Sequence, residues 1–579
     1  MKRKKALGPA RRGATALLLL GTLWVGCAAG QTARDTAQSA AEQRRAEERD
    51  ARQRDQAIQQ REALPDAPDT TPAARLPDSE SPCFPIHQIE LRGEDTARFG
   101  WVLDALTAPD GLDGPLRRCL GAAGVGVVAQ RAQQALLARG FVTSRVMVEP
   151  QDLNEGRLVL TLIPGRIRQV RFADAAAAHT ATRNALPTEP GDVLNLRDIE
   201  QALENFKRVP SVQADIQIEP ADEPGQSDLL IRWTQGRPVR LSLGMDDSGS
   251  RSTGRYQGSA TLSVDSPLQL NDLLYVGLQG SLGGGDPGAR GTSGSSLHYS
   301  LPWGRALLAI DISQHRYLQT VAGAAQDYAY RGRTGSQEAT LSYLLHRNAT
   351  GKTTLHAKVF ARQSRNFIDD TEVEVQRRRV GGWQLGVGHR AFVGRGTLDL
   401  NLNYRRGTGA FGSLPAPEEA FGEGTSRFAL VQANVQWQQP FNLGQQPWQF
   451  SSQWRAQAHR TPLSPQERFA IGGRYTVRGF DGESSLSAES GWFWRNELST
   501  ALGESGTSAF AGVDHGQVRG PSAPLLPGTR LTGAVVGLRG SVGSAPSVQF
   551  EVFAGWPLHK PDGFRTPNAT LGFWLTTGF

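Results

Sequence analysis

From position 238 onward the chain alternates between apolar and polar residues. Leu398, Leu400, Leu402 and Tyr404 are separated by Asp399, Asn401, Asn403 and Arg405. Ala429, Val431, Ala433, Val435 and Trp437 alternate with Gln432, Asn434 and Gln436. The same holds for Trp448, Phe450, Trp454 and Ala456 against Gln449, Gln453, Arg455 and Gln457, and for Val548, Phe550, Val552 and Ala554 against Gln549 and Glu551. A period of two puts successive side chains on opposite faces of a strand. One face here is apolar and the other carries amides and charges, which suits lipid outside and a wet lumen inside. The 342 residues from Pro238 to Phe579 (579 − 238 + 1) hold about sixteen such segments, an even number as bacterial barrels require. Trp437 and Trp448 fall near segment ends, where interfacial aromatics belong. A dozen polar-faced strands without a continuous apolar core argue against a soluble sandwich.

The first 236 residues follow other patterns. Residues 1–30 combine Lys2-Arg3-Lys4-Lys5 with a short apolar run from Ala14 to Gly26, as a secretory signal peptide does. The run is too short to span a bilayer. Residues 31–64 are rich in Ala, Arg, Glu and Gln and contain neither Pro nor Gly, which predicts a helix. Ile58 is its only large aliphatic residue before Leu64, so the helix has no apolar stripe to bury. Such a helix is either a solvated arm or an occupant of a polar channel. Residues 65–82, with Pro at 65, 68, 72, 77 and 82, read as an extended linker.

Two small α+β domains come next. In residues 83–165, Ile86 to Leu91, Phe141 to Val148 and Arg157 to Ile163 read as strands, and Arg98 to Leu106 and Val125 to Ala138 as helices. Residues 166–236 repeat the plan, with strands at 167–172, 212–218 and 228–233 and a helix at 195–208 whose apolar face is Leu196, Ile199, Leu203 and Phe206. Cys83 and Cys119 share the first of these exported domains, so a disulfide between them is expected.

Composition changes little in this picture. Hydrophobic residues are 39% and Gly is 66 of 579, a balance that fits half-polar strands. The net charge of +7 comes with no dense basic block beyond the leader, so no nucleic-acid partner is expected. Gly351-Lys352-Thr353 resembles the end of a phosphate loop, but position 346 is His and no helix follows, so it reads as a hairpin turn. HExxH and GxSxG are absent, and no spacing suggests a metal or cofactor site. No enzymatic activity is expected.

The stretch Phe469 to Gly482, FAIGGRYTVRGFDG, falls between the eleventh and twelfth alternating segments. It resembles the conserved loop of the outer-membrane transporters of two-partner secretion, which belong to the superfamily of barrels carrying POTRA domains. CFPIHQIEL at Cys83 is similar to the opening of their first POTRA domain, and the alternating terminal strand ending in Phe579 resembles an outer-membrane assembly signal. The resemblance implies POTRA domains at 83–165 and 166–236 in the periplasm, a sixteen-stranded barrel at 237–579, and a plug helix at 31–64. It implies that the loop, 464–486, folds into the lumen through Val477, Arg478, Gly479 and Phe480. In similar transporters an acid on the thirteenth strand pairs with the loop Arg, and here that acid is Asp514, on the inward parity of Phe510. The implied partners are a secreted exoprotein bound unfolded by the POTRA domains, the outer-membrane lipids, and the barrel-assembly machinery. The alternative is an assembly factor or insertase, which usually brings more POTRA domains and lacks the plug helix.

Overall fold

The computed structural model describes residues 37–54, 75–107, 113–174, 182–323, 325–503, 505–544 and 546–579. The expected signal peptide, both ends of the polar helix and most of the Pro-rich linker lie outside these residues. Residues 37–54 form helix α1.

The first small domain contains β1 (Phe84–Ile86), β2 (Gln88–Gly93), α2 (Thr96–Phe99), α3 (Trp101–Asp104), β3 (Arg118–Leu120), α4 (Ala122–Ala138), β4 (Arg145–Met147) and β5 (Arg157–Ile163). Its sheet runs β2-β5-β4, with β2 parallel to β5. Val128, Ala132 and Leu136, at helical spacing on α4, bury completely against Ile86, Phe99, Leu158 and Leu160. Gly140, at φ +90°, turns the chain out of α4.

Three expectations here are corrected. The strand expected from Ile86 to Leu91 breaks at His87, because β1 pairs with β3 while β2 pairs with β5. The amides of His87 and Gln88 both donate to the Gly156 carbonyl at that switch. The helix expected over 98–106 is two single turns that meet at Gly100. The strand expected over 141–148 shrinks to β4, because the Phe141 amide closes α4 on the Leu136 carbonyl and Ser144 turns back onto Phe141. Cys83, just before β1, is bonded to Cys119, the middle residue of β3.

The second domain has β6 (Arg166–Phe172), α5 (Thr182–Ala185), α6 (Leu196–Lys207), β7 (Val212–Pro220) and β8 (Gln226–Gln235), in sheet order β6-β8-β7. Asn195 caps α6 by accepting from the Arg197 amide at 2.8 Å. Ile199, Ala202 and Phe206 bury on the sheet. The opposite side of α6 meets the barrel. Arg347 holds Glu200 and Glu204, each at 2.9 Å; Lys352 holds Glu204 and Arg305 holds Asp198. Asn205 donates to the Gly304 carbonyl at 2.7 Å. This edge of the barrel is therefore the one that carries the second small domain.

The wall is built from β9 (Val239–Asp246), β10 (Tyr256–Asp265), β11 (Leu273–Gly283), β12 (Gly291–Trp303), β13 (Ala306–Ala322), β14 (Asp327–Asn348), β15 (Gly351–Ile368), β16 (Thr371–Glu372), β17 (Arg378–Val393), β18 (Gly396–Thr408), β19 (Ala429–Leu443) and β20 (Gln446–His459). After the small hairpin β21 (Phe469–Ile471) and β22 (Leu486–Ala488) it continues with β23 (Ser490–Ala501), β24 (Thr507–Arg519), β25 (Arg530–Val542), β26 (Val548–His559) and β27 (Thr570–Gly578). Neighbours pair antiparallel and β27 closes on β9. β16 is a two-residue hook on β15, so sixteen strands make the wall.

The alternation behaves as hydropathy dictates. Leu308, Ile310 and Ile312 of β13 are exposed on the outside, as are Leu400 and Leu402 of β18. Arg405, the polar neighbour of Tyr404, is buried in the lumen with its guanidinium 4.2 Å from the Phe360 ring. Gly351-Lys352-Thr353 opens β15 after a tight turn, as a hairpin and not a phosphate loop.

Candidate functional site

The segment between β20 and β23 turns into the barrel. Its hairpin base, β21 with β22, carries an apolar knot of Phe469, Ile471, Val477, Phe480 and Leu486 against Phe493, Val518, Leu531 and Phe564 of the wall and neighbouring loops. Phe480 meets Phe564 edge-on at 5.7 Å. This knot brings the next residue, Arg478, to the wall.

Arg478 binds Asp514 three times. Its backbone amide donates to Oδ2 at 2.9 Å, Nε donates to Oδ2 at 2.7 Å, and a terminal nitrogen donates to Oδ1 at 2.9 Å. The other terminal nitrogen donates to Glu497 Oε2 at 2.5 Å. Asp514 is wholly buried. Arg495 lies 3.9 Å from the same carboxylate, and Arg539 holds the second oxygen of Glu497. Phe510 is on the inward face as expected, but its ring carries Arg539 at 4.4 Å, so it joins the network through Glu497 and not through the motif.

The loop can lie this close because the wall beneath it is glycine. A Cβ on Gly533 would sit 1.9 Å from the Arg478 carbonyl oxygen, and one on Gly512 would sit 2.6 Å from the Arg478 guanidinium. Gly516 and Gly555 likewise abut Val477 and Gly479. Gly479 itself, at φ +97°, would place a Cβ 2.4 Å from the Trp556 carbonyl. The seat thus excludes side chains on both surfaces. Sequence reasoning missed Glu497, Arg539 and the four wall glycines. Gly512 and Gly516 flank Asp514 at spacing two on one strand, a signal that was available.

A second anchor lies on the loop's other flank. Arg474 ion-pairs with Asp247, whose Oδ1 also accepts from the Phe573 amide at 3.0 Å, tying the loop to both sides of the β9–β27 seam.

Helix α1 lies in the lumen beside this loop. Its contacts are mostly polar, with Arg52 also lying over the Trp574 ring at 4.6 Å. Arg45 donates to the Gly482 carbonyl at 2.6 Å and Arg44 to the Pro465 carbonyl at 3.4 Å, both on the loop. Toward the wall, Glu47 pairs with Arg362 at 3.0 Å, Asp50 with His315 at 2.7 Å and Arg54 with Asp311 at 3.1 Å. Arg362 also lies within 4 Å of Glu338 and of Glu467, at the start of the loop. A space of about 450 Å³ remains between helix, loop and wall, lined by Glu47, Asp50, Glu338, Arg362, Arg405 and Glu467 among others. A helix without an apolar stripe is stable here because its neighbours are mostly polar.

The arrangement clamps and occludes. Among the described residues no group of three His, Cys, Asp or Glu is placed to hold a metal ion. A closed sixteen-strand barrel, plugged by a polar helix and an inward loop and carrying two small α+β domains at one mouth, defines an outer-membrane transport barrel with periplasmic domains.

Residues 225–540 match the family described as Haemolysin secretion/activation protein ShlB/FhaC/HecB. Residues 84–165 match the POTRA domain, ShlB-type, and residues 166–220 another POTRA domain description. The outer membrane transporter CdiB-2 of Burkholderia pseudomallei is 36% identical over 95% of each chain. The hemolysin transporter protein ShlB of Serratia marcescens is 24% identical over 77% of this chain and 78% of its own. The solved structure of CdiB from Acinetobacter baumannii superposes with a TM-score of 0.81 at 29% identity, covering 94% of this chain and 99% of that one. The chain belongs to the ShlB/FhaC/HecB family of haemolysin secretion/activation proteins, the outer-membrane transporters of two-partner secretion.

Proposed function

We infer that this transporter takes an unfolded secreted exoprotein, of haemolysin or contact-inhibition type, from the periplasm and passes it through the barrel to the cell surface. The observation that carries the reading is a lumen occupied by α1 and the 464–486 loop through exchangeable polar contacts. Such contacts hold a plug that water can replace, whereas an apolar plug would be costly to expose.

The POTRA domains receive the client. The outer strands are β2 and β4 in the first sheet and β6 and β7 in the second, with the start of β6 covered where Ile167 exchanges backbone hydrogen bonds with Gly191 and Asp192. An extended segment adds to such an edge through main-chain hydrogen bonds. Arg478, held by Asp514 and Glu497, keeps the loop on the wall while the helix leaves. Folding of the client outside supplies the driving force, and the barrel-assembly machinery inserts the chain through its terminal strand.

The test is export of a candidate exoprotein co-expressed with this chain, scored as surface client per inserted barrel. Deletion of residues 83–165 should abolish export and leave the barrel inserted. Export at the normal level by that deletion would remove the recognition role.

A further inference from the structure

On the outside of the barrel three arginines stand side by side. Arg316 of β13 pairs in register with Arg333 of β14, and Arg333 with Arg365 of β15. Residues directly opposite in an antiparallel ladder share a face, with strands about 4.8 Å apart. That face is the outer one, because Leu308, Ile310 and Ile312 share the parity of Arg316, Leu341 and Tyr343 that of Arg333, and Leu355 and Val359 that of Arg365, and all are exposed.

The row lies at the outer limit of the membrane. Arg305, eleven positions before Arg316, contacts Asp198 of the second POTRA domain at the periplasmic edge. Eleven residues at about 3.3 Å each, tilted about 45°, rise roughly 26 Å, close to the height of an apolar band. The side chains therefore reach the outer-leaflet headgroups.

Like charges directly opposite one another are destabilising. The local carboxylates relieve this only in part: Glu372 is close enough to Arg365 to attract it, but none is ion-paired with the row. Asp370 is taken by Arg331 at 3.0 Å, Asp369 accepts from the Ala329 amide at 3.0 Å, and Glu372 is held by Arg377 at 2.6 Å. Arg333 has only the neutral amide oxygen of Gln314, once that amide is turned toward it. Among the described residues no carboxylate lies within ion-pair distance of Arg316 or Arg365. A surface cavity of about 570 Å³ opens here, lined by Arg316, Arg331 and Arg333, by Leu318 and Phe367, and by the carboxylates Asp369 and Asp370, which are engaged by the Ala329 amide and Arg331. Guanidinium forks beside apolar walls match a phosphate group carried on an amphipath.

We propose that this row binds a phosphate of an outer-leaflet lipid headgroup, with the lipid's apolar part against Leu318 and Phe367. A lipid is favoured over an acidic protein segment because the arginines continue the lipid-facing rows of these strands.

The test uses the purified full chain in detergent, wild type and R316Q/R333Q/R365Q, with phosphorylated lipid A and with lipid A stripped of phosphate. Native mass spectrometry should show wild type retaining the phosphorylated lipid about tenfold better than the triple variant, and neither retaining the stripped lipid. Inorganic phosphate should not displace it. Equal retention by the two proteins, displacement by inorganic phosphate, or preference for an acidic client peptide over lipid A would overturn the proposal. Should the triple variant fail the heat-modifiability check for a folded barrel, Arg316→Gln alone serves, since Arg316 lines the cavity; it should lose at least about half of the bound lipid, and unchanged retention counts against the site.

Discussion

Arg478 gives Asp514 three hydrogen bonds, one of them from its own backbone amide, inside a wall where Asp514 has no exposed surface. Side chain and main chain of the loop are thus fixed by one carboxylate. An exposed pair of this kind is worth under about 1 kcal/mol, but removing one partner of a buried pair leaves the other charge stranded, at about 3–5 kcal/mol. Arg478→Ala and Asp514→Ala should each cut export sharply while the barrel still inserts. Their losses should be non-additive, since both remove the same contact. Arg478→Lys should rescue little, because a point charge cannot replace the fork. Export per inserted barrel, measured for both single variants and the double, checks this; strictly additive losses would sink it.

Gly533 meets the Arg478 carbonyl so closely that a methyl group cannot fit. Gly533→Ala should lift the loop from its seat, at a cost of about 1–3 kcal/mol of overpacking. Export should fall although every ionic partner remains. The companion change Gly126→Ala, on an exposed position of α4 where a Cβ meets nothing, should stabilise the first POTRA domain by about 0.5–1 kcal/mol. Thermal melts of the two variants would separate a steric loss from a general intolerance of Ala for Gly.

The contrast between Arg478 and its surroundings shows how far the sequence could be read. Period-two alternation locates strands with a lipid face, and counting them put the VRGF stretch between the eleventh and twelfth wall strands, where it lies. The parity of Asp514 was legible for the same reason. Glu497 was not, because an inward charge looks like any other lumen residue until the topology shows which loop faces it. The glycine seat spans three strands, β24 to β26, and is visible only once their register is known. The break at His87 was hidden because an alternating hexapeptide does not say which sheet each half joins. The composition of α1 said that its surroundings are wet, but not that Arg362 and His315 would be its partners.

Cys83 and Cys119 close a stretch 36 residues long across β1 and β3. In the chain-entropy account such a closure contributes about 3–4 kcal/mol. Cys83→Ser with Cys119→Ser should therefore lower the melting temperature of the first POTRA domain and leave the barrel transition unchanged. Limited proteolysis with and without reductant should show faster cutting within residues 83–165 on reduction. Equal cutting rates would deny the bridge a stabilising role.

Acid should loosen the second POTRA domain through one group. Asp228 accepts from Nε and one terminal nitrogen of Arg168 at 2.8 and 2.7 Å and from Gln169 at 2.7 Å. The Arg168 hydrogen bonds, then that from Gln169, lower its pKa to about 2. A carboxylate depressed on folding stabilises above its unfolded pKa, near 4, and that contribution is lost as pH falls toward 2. The domain's unfolding midpoint should drop between pH 4 and pH 2 in wild type, and less steeply in Asp228→Asn. Parallel curves for the two proteins would remove Asp228 as the cause.

Arg362 lies where helix, wall and loop meet, with Glu47 at 3.0 Å, Glu338 at 3.4 Å and Glu467 at 3.9 Å. The wall acids do not depend on it alone, since Lys358 holds Glu338 and Arg405 holds Glu467. Glu47→Gln therefore releases the helix from Arg362 without stranding a charge in the wall. Asp50→Asn removes the carboxylate that His315 hydrogen-bonds. Each contact lies in a polar lumen, so about 1 kcal/mol apiece is the appropriate scale. Together they should shift the balance between plugged and open barrels by roughly thirtyfold, which is what about 2 kcal/mol yields. In planar bilayers the double variant should spend far more time in a high-conductance state. Raised salt should move wild type the same way by screening the pairs, and should move the double variant less. Matching open fractions for the double variant and wild type at low salt would show that these two contacts do not hold the plug.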